Sequence, residues 1–301
     1  MIPTYNCAKW LPRALGSVLE QDRGIGLMQI EVVDDCSSDD VQPVVETVGR
    51  GRVTFWRQPA NIGAIGNFNS CVERSNGELV HILHGDDFVL PGFYSEIENM
   101  ARTHPRAALL ATRSFFVDED EVINYLTQRL RSLEQPSSCC SEMFYKNNLQ
   151  FAGVVVRREF YCSHGGFMES LVHTADWEMW TRAILFGTGV VSPRVLAAYR
   201  VFDGNDTSKL ARTAANLEDL LRLSEVLQTR HAEYRKGLAV RYAVDLGWQQ
   251  YLQFSALGDR AAAQANLDFC RKHATAFYRF FAVLRRWAAV VRDRLDGTLS
   301  V

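Results

Sequence analysis

The stretch Ile30-Glu31-Val32-Val33-Asp34-Asp35-Cys36-Ser37 decides the architecture. Ile30, Val32 and Val33 make a short β-branched run of the kind that suits a strand buried on both faces. Two aspartates follow directly on its carboxyl end, where open α/β sheets bind ligands. The arrangement recurs at Leu79-Val80-His81-Ile82-Leu83, which runs through His84 and Gly85 into Asp86-Asp87. A single strand-end aspartate is as readily a cap for the next helix or turn. Two acidic pairs on separate strands favour a site.

Outward from these strands, Val53 to Trp56 and Ala108 to Ala111 are further short apolar runs. Leu11, Leu15, Val18 and Leu19 form a stripe at helical spacing, as do Ile65, Phe68 and Val72, and later Phe93, Ile97 and Met100. The alternation predicts β-α-β-α-β-α-β through residue 111, a mostly parallel sheet flanked by helices. Between 112 and 150 the pattern is irregular, with a polar turn at Asp118 to Glu121 and a loop at Pro136-Ser137-Ser138. Gly153 to Val156 resumes a strand, Gly165-Gly166 a turn, Trp177 to Phe186 an amphipathic helix, and a strand follows near Val190.

Past the turn-rich segment Asp203 to Ser208, proline vanishes and long helical patterns take over, beginning with Leu217, Leu220, Leu221 and Leu227. The expected division is a catalytic domain over 1–208 and a helical region over 209–301. Residues 271–295 carry Phe277, Phe281, Leu284, Trp287 and Val291 on one face, and seven basic residues against the single acid Asp293. Such a basic amphipathic helix suits docking on anionic lipids, and its apolar stripe equally suits packing on the catalytic domain or a second subunit in a homo-oligomer.

Composition removes whole classes. Over 301 residues, 47% hydrophobic and 23% charged content excludes disordered, collagen-like and disulfide-scaffold chains. A formal charge of -2 gives no global attraction for nucleic acid. Seven cysteines, odd in number and without a C-x-x-C pair, point to reduced thiols in a cytoplasmic compartment. No secretory signal opens the chain and no apolar run approaches the ~18 residues of a spanning helix, so the expectation is a cytoplasmic protein, peripheral at most on the inner face of the membrane. Neither G-x-G-x-x-G after the first strand nor G-x-x-x-x-G-K-[ST] occurs, and H-E-x-x-H, G-x-S-x-G and Cys/His zinc clusters are absent as well. What the residues do offer is adjacent carboxylates able to hold Mg²⁺ or Mn²⁺ with a diphosphate.

Ile2-Pro3-Thr4-Tyr5-Asn6, Ile30 to Asp39, Asn61-Ile62-Gly63 and Gly85-Asp86-Asp87-Phe88-Val89-Leu90-Pro91, taken in order, resemble the family 2 inverting glycosyltransferases of the GT-A fold. The resemblance runs on through Gly165-Gly166-Phe167 and Asp176-Trp177-Glu178-Met179-Trp180-Thr181-Arg182 to Tyr199-Arg200, about two thirds of the chain. It implies that Pro3, Thr4, Tyr5, Asp35, Asn61 and Gly63 line the donor's base and ribose pocket. Asp86 would be the metal-binding carboxylate, Asp87 its neighbour at the donor, and Arg200 a clamp near the diphosphate. Asp176 would be the general base, ionised at neutral pH because an unperturbed aspartate has a pKa of about 3.9. The bland alternatives are that Asp176 caps a helix beginning at Trp177 and that Arg200 is a surface ion pair.

Three positions depart from the family pattern. His84 stands where many members carry an acid two residues before the metal aspartate, and Phe202 stands where many carry a histidine after the Tyr-Arg pair. His84 is therefore a substitute metal ligand in this reading. Only Met1 and Ile2 precede Pro3, so the first strand is expected to be truncated, most simply by a misassigned start; were the chain real as written, backbone partners of that strand would go unpaired.

The function expected is transfer of a sugar, with inversion, from a nucleoside-diphosphate sugar such as a UDP-sugar to a glycan or lipid-linked acceptor, in cell-surface polysaccharide or glycolipid synthesis. A sugar-phosphate nucleotidyltransferase predicts a glycine-rich basic loop after the first strand, and Pro3 to Trp10 offers only Lys9. A catalytically inactive glycosyltransferase-like binding module is the reading from another class, motivated by the altered metal positions.

Overall fold

The computed structural model describes residues 1–128, 143–144, 146–231 and 234–274. The loop expected at Pro136 to Ser138 and all of the expected basic helix beyond Ala274 lie outside the described residues. The chain forms two compact units, Met1–Asn205 and Asp206–Val301.

In the first unit, β1 (Ile2–Thr4), β2 (Glu31–Asp34) and β3 (Thr54–Arg57) pair in parallel in that order. They are parallel because each is joined to the next by a crossover helix, α1 (Leu11–Leu19) and α2 (Val41–Gly49). Leu11, Ala14, Leu15 and Val18 bury one face of α1. The α2 segment gives a weaker signal in sequence, since its valines favour strands and Pro43 favours a break. Pro43 sits in the first turn, where its missing N–H would have no intrahelical acceptor anyway, and burial of Val41 and Val45 one turn apart outweighs the local preference.

The second sheet has the order β4-β8-β6-β9-β5, with β7 also on β6. Its strands are β4 (Leu79–His81), β5 (Phe88–Val89), β6 (Leu109–Val117), β7 (Ile123–Leu126), β8 (Val154–Arg157) and β9 (Gly189–Arg200). Here the expected parallel order gives way to a mixed sheet: β6 and β9 are parallel, while the β4–β8, β6–β8, β6–β7 and β5–β9 pairs are antiparallel. Two of these antiparallel pairs come from β8, which returns from residue 154 to insert between β4 and β6. Local periodicity cannot reveal such a long-range insertion. Helices α3 (Ala64–Arg74), α4 (Phe93–Thr103), α5 (Arg158–His164) and α6 (Ala175–Phe186) complete the unit.

Over its three residues the backbone of β1 is paired on both sides. β2 lies on one side, and on the other Leu83 N donates to Met1 O at 3.0 Å and Gly85 N to Pro3 O at 3.2 Å. Leu15, Val32, Leu83, Phe93 and Leu110, each at 1% exposure or less, form the centre of the core beneath these strands. Full burial of each such side chain contributes roughly 1.5–3 kcal/mol.

The second unit is helical: α7 (Asp206–Arg212), α8 (Ala215–Arg230), α9 (Lys236–Ala256) and α10 (Arg260–His273). Leu217, Leu220, Leu223 and Leu227 are the buried stripe of α8. Gly247 lets α9 approach its neighbours closely, since a Cβ there would lie 2.8 Å from Cys270 Sγ and 3.0 Å from Leu217 Cδ1. Asp259 caps α10, accepting from Ala262 N at 3.1 Å. Among the described residues no helix is long and apolar enough to cross a membrane.

Candidate functional site

The carboxyl ends of β1 and β2 are stitched together by the loops that leave them. Asp35 N donates to Thr4 O at 2.9 Å, Asn6 N to Ser37 Oγ at 2.9 Å, Ser38 N to Asn6 Oδ1 at 2.8 Å and Ala8 N to Asp39 Oδ2 at 2.7 Å. Asn6 and Cys36 both adopt positive φ, at 50° and 58°, and this network holds them there. Asp34 is fully buried and spent: it accepts from Ser37 Oγ, Ser37 N and Thr4 Oγ1, and Arg57 Nη1 lies 3.2 Å from Oδ2.

Asp35, its neighbour, faces the other way. Its Oδ1 accepts from Ile62 N at 2.8 Å, its carbonyl accepts from Asn61 Nδ2 at 3.2 Å, and Gly63 N turns back on Asn61 Oδ1. Burial pushes the Asp35 carboxyl above its ordinary value, and the Ile62 and Gly63 amides oppose that. Gly63, at φ 80°, opens α3. Thr4 is buried and Pro3 with it, while Tyr5 presents 52% of its surface beside them. Pro3, Thr4, Tyr5, Asp35, Asn61 and Gly63 thus converge on one rim. The stitching residues Asn6, Ser37, Ser38 and Asp39 had no assigned role in the sequence, although they lie inside the quoted motifs.

The second acidic pair follows β4. Gly85 is required by close approach, because a Cβ there would sit 2.5 Å from Cys7 Sγ and 2.8 Å from Thr4 Cγ2. This contact brings Asp86 and Asp87 against the end of β1. Asp87 is 1% exposed; its Oδ1 accepts from Arg200 N at 2.9 Å, and its buried Oδ2 has no hydrogen-bond partner. Burial, reinforced by the charge of Asp86, holds the Asp87 carboxyl well above the usual range, with Arg200 working against the shift. Burial and the Asp86 charge likewise push the Cys7 thiol up, so it stays neutral beside the pair.

His84, Asp86 and Asp87 each offer a ligand atom within 4.8 Å of the others'. Two carboxylates and an imidazole suit a divalent cation, with the imidazole tilting the preference from Mg²⁺ towards the softer Mn²⁺. The orphaned Asp87 Oδ2 is what such an ion would satisfy, so the residues fit. Arg200, by contrast, is not placed as the expected diphosphate clamp. It is 1% exposed, and its guanidinium donates to Asp86 O, Asp118 O, Glu119 O and Glu121 Oε1 while lying 4.3 Å from the centre of the Trp10 ring. Nor is it a surface ion pair.

Asp176 lies in the first turn of α6, one residue inside the helix rather than before it. Its Oδ2 accepts from Asn147 Nδ2 at 3.0 Å and its Oδ1 from Trp177 N at 2.6 Å. Asn147 belongs to the irregular segment that sequence patterns left undescribed. Asp176 and Trp180 share a helix face, being four residues apart. Trp180 packs edge-on against Phe151, and Phe151 lies 4.4 Å from His84, which also stacks on Phe68. One aromatic cluster therefore links the α6 face of Asp176 to the acidic pair. The Gly165-Gly166-Phe167 turn is locked to the same helix: Arg182, paired with Glu178 at 2.9 Å, donates to the carbonyls of His164, Gly165 and Gly166. Asn69 brackets Phe167, and a Cβ on Gly166 would lie 2.3 Å from Asn69 Oδ1. A cavity of about 250 Å³ at the amino ends of β1, β2 and β4 lies away from all of these residues.

The profile of the family described as Glycosyl transferase family 2 matches residues 1–162, more than half of the chain. An uncharacterized Mycobacterium tuberculosis protein, MT1568, is 28% identical over 235 residues, 74% of this chain and 72% of that protein. Among solved structures, Staphylococcus aureus TarS 1-349 in complex with UDP-GlcNAc superposes with a TM-score of 0.63 at 17% identity, covering 91% of this chain and 80% of that one. The mannosyltransferase PcManGT from Pyrobaculum calidifontis, in complex with GDP-Man and Mn²⁺, gives a TM-score of 0.57 at 16% identity over 98% and 86% of the two chains. At those identities the structures establish the shared GT-A fold. The family match adds the chemistry that the two acidic strand ends prepare: the chain belongs to glycosyl transferase family 2 and is a glycosyltransferase.

Proposed function

We propose that this glycosyltransferase moves a sugar from a nucleoside-diphosphate sugar to an acceptor hydroxyl with inversion at the anomeric carbon. The observation that carries the reading is the buried, partnerless Asp87 Oδ2 in a cluster with Asp86 and His84, beside the rim formed by Thr4, Tyr5, Asp35 and Asn61. Leaving one buried carboxylate oxygen without a hydrogen bond costs the fold stability, and strongly perturbed buried acids cluster at functional sites.

In this reading the exposed Tyr5 ring stacks on the donor base, and Asp35 accepts from the base or ribose. A divalent cation held by Asp86, Asp87 and His84 would offset the charge growing on the departing diphosphate. Asp176 takes the proton from the acceptor hydroxyl as that oxygen bonds to the anomeric carbon and the bond from that carbon to the diphosphate oxygen breaks. Asn147 and the Trp177 amide fix the carboxylate for this task, and position matters more than basicity, because the hydroxyl becomes acidic only as it attacks.

TarS is named a poly(ribitol-phosphate) β-N-acetylglucosaminyltransferase, and this chain matches 91 of its residues at 30% identity, 16% of its length. The neighbours solved with UDP-GlcNAc and with GDP-Man with Mn²⁺ motivate a nucleotide-sugar donor and a cation here. A cell-surface polysaccharide or glycolipid is the acceptor class we propose. The test is incubation of the purified chain with a panel of UDP- and GDP-sugars and Mn²⁺, reading nucleoside diphosphate release. Release that requires one donor and disappears in Asp176→Asn supports the reading. Absence of release with every donor and cation, together with absence of nucleotide binding, overturns it.

A further inference from the structure

Arg200, at the end of β9, holds both members of the acidic pair at once. Its backbone N donates to Asp87 Oδ1 at 2.9 Å, and its Nε donates to the carbonyl of Asp86 at 3.0 Å. Its Nη1 is spent on the carbonyls of Asp118 and Glu119, both at 3.1 Å. The side chain that answers its charge is Glu121, whose Oε1 accepts from Nη2 at 2.9 Å. Glu121 belongs to the turn between β6 and β7 and sits at φ 62°, a left-handed conformation that glutamate seldom adopts. Arg13 Nε lies 3.2 Å from both of its carboxylate oxygens, so two arginines hold the strained residue in place. Strain that the surroundings over-determine tends to mark a functional position.

A buried guanidinium without a counter-ion is drawn to the nearest carboxylate. Asp87, which already accepts from the Arg200 backbone and feels the charge of its guanidinium, is a competitor for Glu121. We propose that Glu121 is a positioning residue acting through Arg200: it neutralises the guanidinium, keeps that charge off Asp87, and so leaves the Asp87 carboxylate available to a divalent cation. Arg200 meanwhile fixes where the pair stands. This inference rests on the reading of the His84–Asp86–Asp87 cluster as a cation site.

The distinguishing experiment exploits the backbone of Glu121. Glycine accepts φ 62° without strain, so Glu121→Gly removes the carboxylate while relieving the backbone at that position. Mn²⁺ binding is measured on the purified chain without donor, by EPR titration of free Mn²⁺, for the unmodified chain, Glu121→Gly, Glu121→Gln and Arg200→Lys, each with its melting temperature. We expect the Mn²⁺ dissociation constant to rise roughly tenfold in Glu121→Gly and Glu121→Gln, the scale seen when groups supporting metal ligands are removed. The melting temperature of Glu121→Gly should fall no further than that of Glu121→Gln, since both lose the carboxylate and only glycine relieves the φ 62° backbone, and the Mn²⁺ midpoint for nucleoside diphosphate release should move with the dissociation constant. Mn²⁺ binding in Glu121→Gly within about twofold of the unmodified chain overturns the inference and leaves the cation site standing. Loss of Mn²⁺ binding by the unmodified chain overturns both. Should Arg200→Lys fail to fold, the glutamate variants decide alone.

Discussion

Asp34, the last residue of β2, and Asp87, in the loop between β4 and β5, are both buried members of acidic pairs, yet the fold treats them in opposite ways. Asp34 accepts from Ser37 Oγ, Ser37 N and Thr4 Oγ1 and is paired with Arg57. Asp87 accepts from one backbone amide and leaves an oxygen buried with no hydrogen-bond partner. The first is a rivet between β1 and β2. The second keeps a buried oxygen with no hydrogen bond, His84 Nδ1 lying 3.9 Å away, and in the proposed function a cation completes it. Burial alone does not separate structural from functional carboxylates, whereas the count of partners does.

The comparison can be broken or sharpened by substitution. The largest effect is expected at the third acid, Asp176, the proposed general base: Asp176→Asn should cut turnover by roughly 10²–10⁴-fold, the usual range for a lost general base, with little change in donor binding. Steady-state release assays and donor titrations would show the split. Next comes Asp34→Asn, which weakens several charge-assisted hydrogen bonds at a buried site and should destabilise the fold by about 3 kcal/mol, read by urea melts. If Asp34→Asn instead left stability intact and abolished nucleotide binding, the rivet assignment would fall.

Asp87→Asn should do the reverse. Without a cation it is expected to raise stability at neutral pH by about 1–2 kcal/mol, because the ionised carboxylate is buried without full compensation, while removing Mn²⁺ binding. The sign follows from the raised folded-state pKa of Asp87. Its contribution to stability is fully present below the unfolded value of about 3.9 and is lost as pH rises through the folded value. Melting temperature measured against pH should therefore decline less steeply in Asp87→Asn than in the unmodified chain as pH rises from about 3.9 through the raised folded-state value. The smallest effect belongs to the exposed Lys9–Glu119 pair, at 67% and 52% side-chain exposure. Lys9→Ala should change stability by no more than about 0.5 kcal/mol, and that little should fade with salt.

Much of the first unit was legible from residue order. The run into Asp34-Asp35, the helical stripe of Leu11, Leu15 and Val18, and the Gly85-Asp86-Asp87 motif each signal structure within a few residues of themselves. The α2 helix was not legible, because its valines and Pro43 speak for other conformations and tertiary burial of Val41 and Val45 decides against them. Nor was Arg200. A motif arginine near an expected diphosphate reads as a clamp, and only the folded chain shows its donors spent on Asp86, Asp118, Glu119 and Glu121. Asn147 carried no signal at all, since an isolated asparagine in an irregular segment acquires meaning only when Asp176 is brought to it.

By itself the amino-acid sequence determined the family, the alternation of strands and helices that builds the parallel β1-β2-β3 layer, and the acidic residues at the strand ends. These are local properties, set by periodicity and by short motifs. Only the tertiary structure decided that β8 inserts between β4 and β6, that Asp34 is satisfied and that Asp87 keeps a bare oxygen. The partner that holds Asp87 lies 113 residues away along the chain. Whether a buried carboxylate is spent or available depends on such distant donors, whose approach is set by packing of the whole unit and by no pattern near the residue itself.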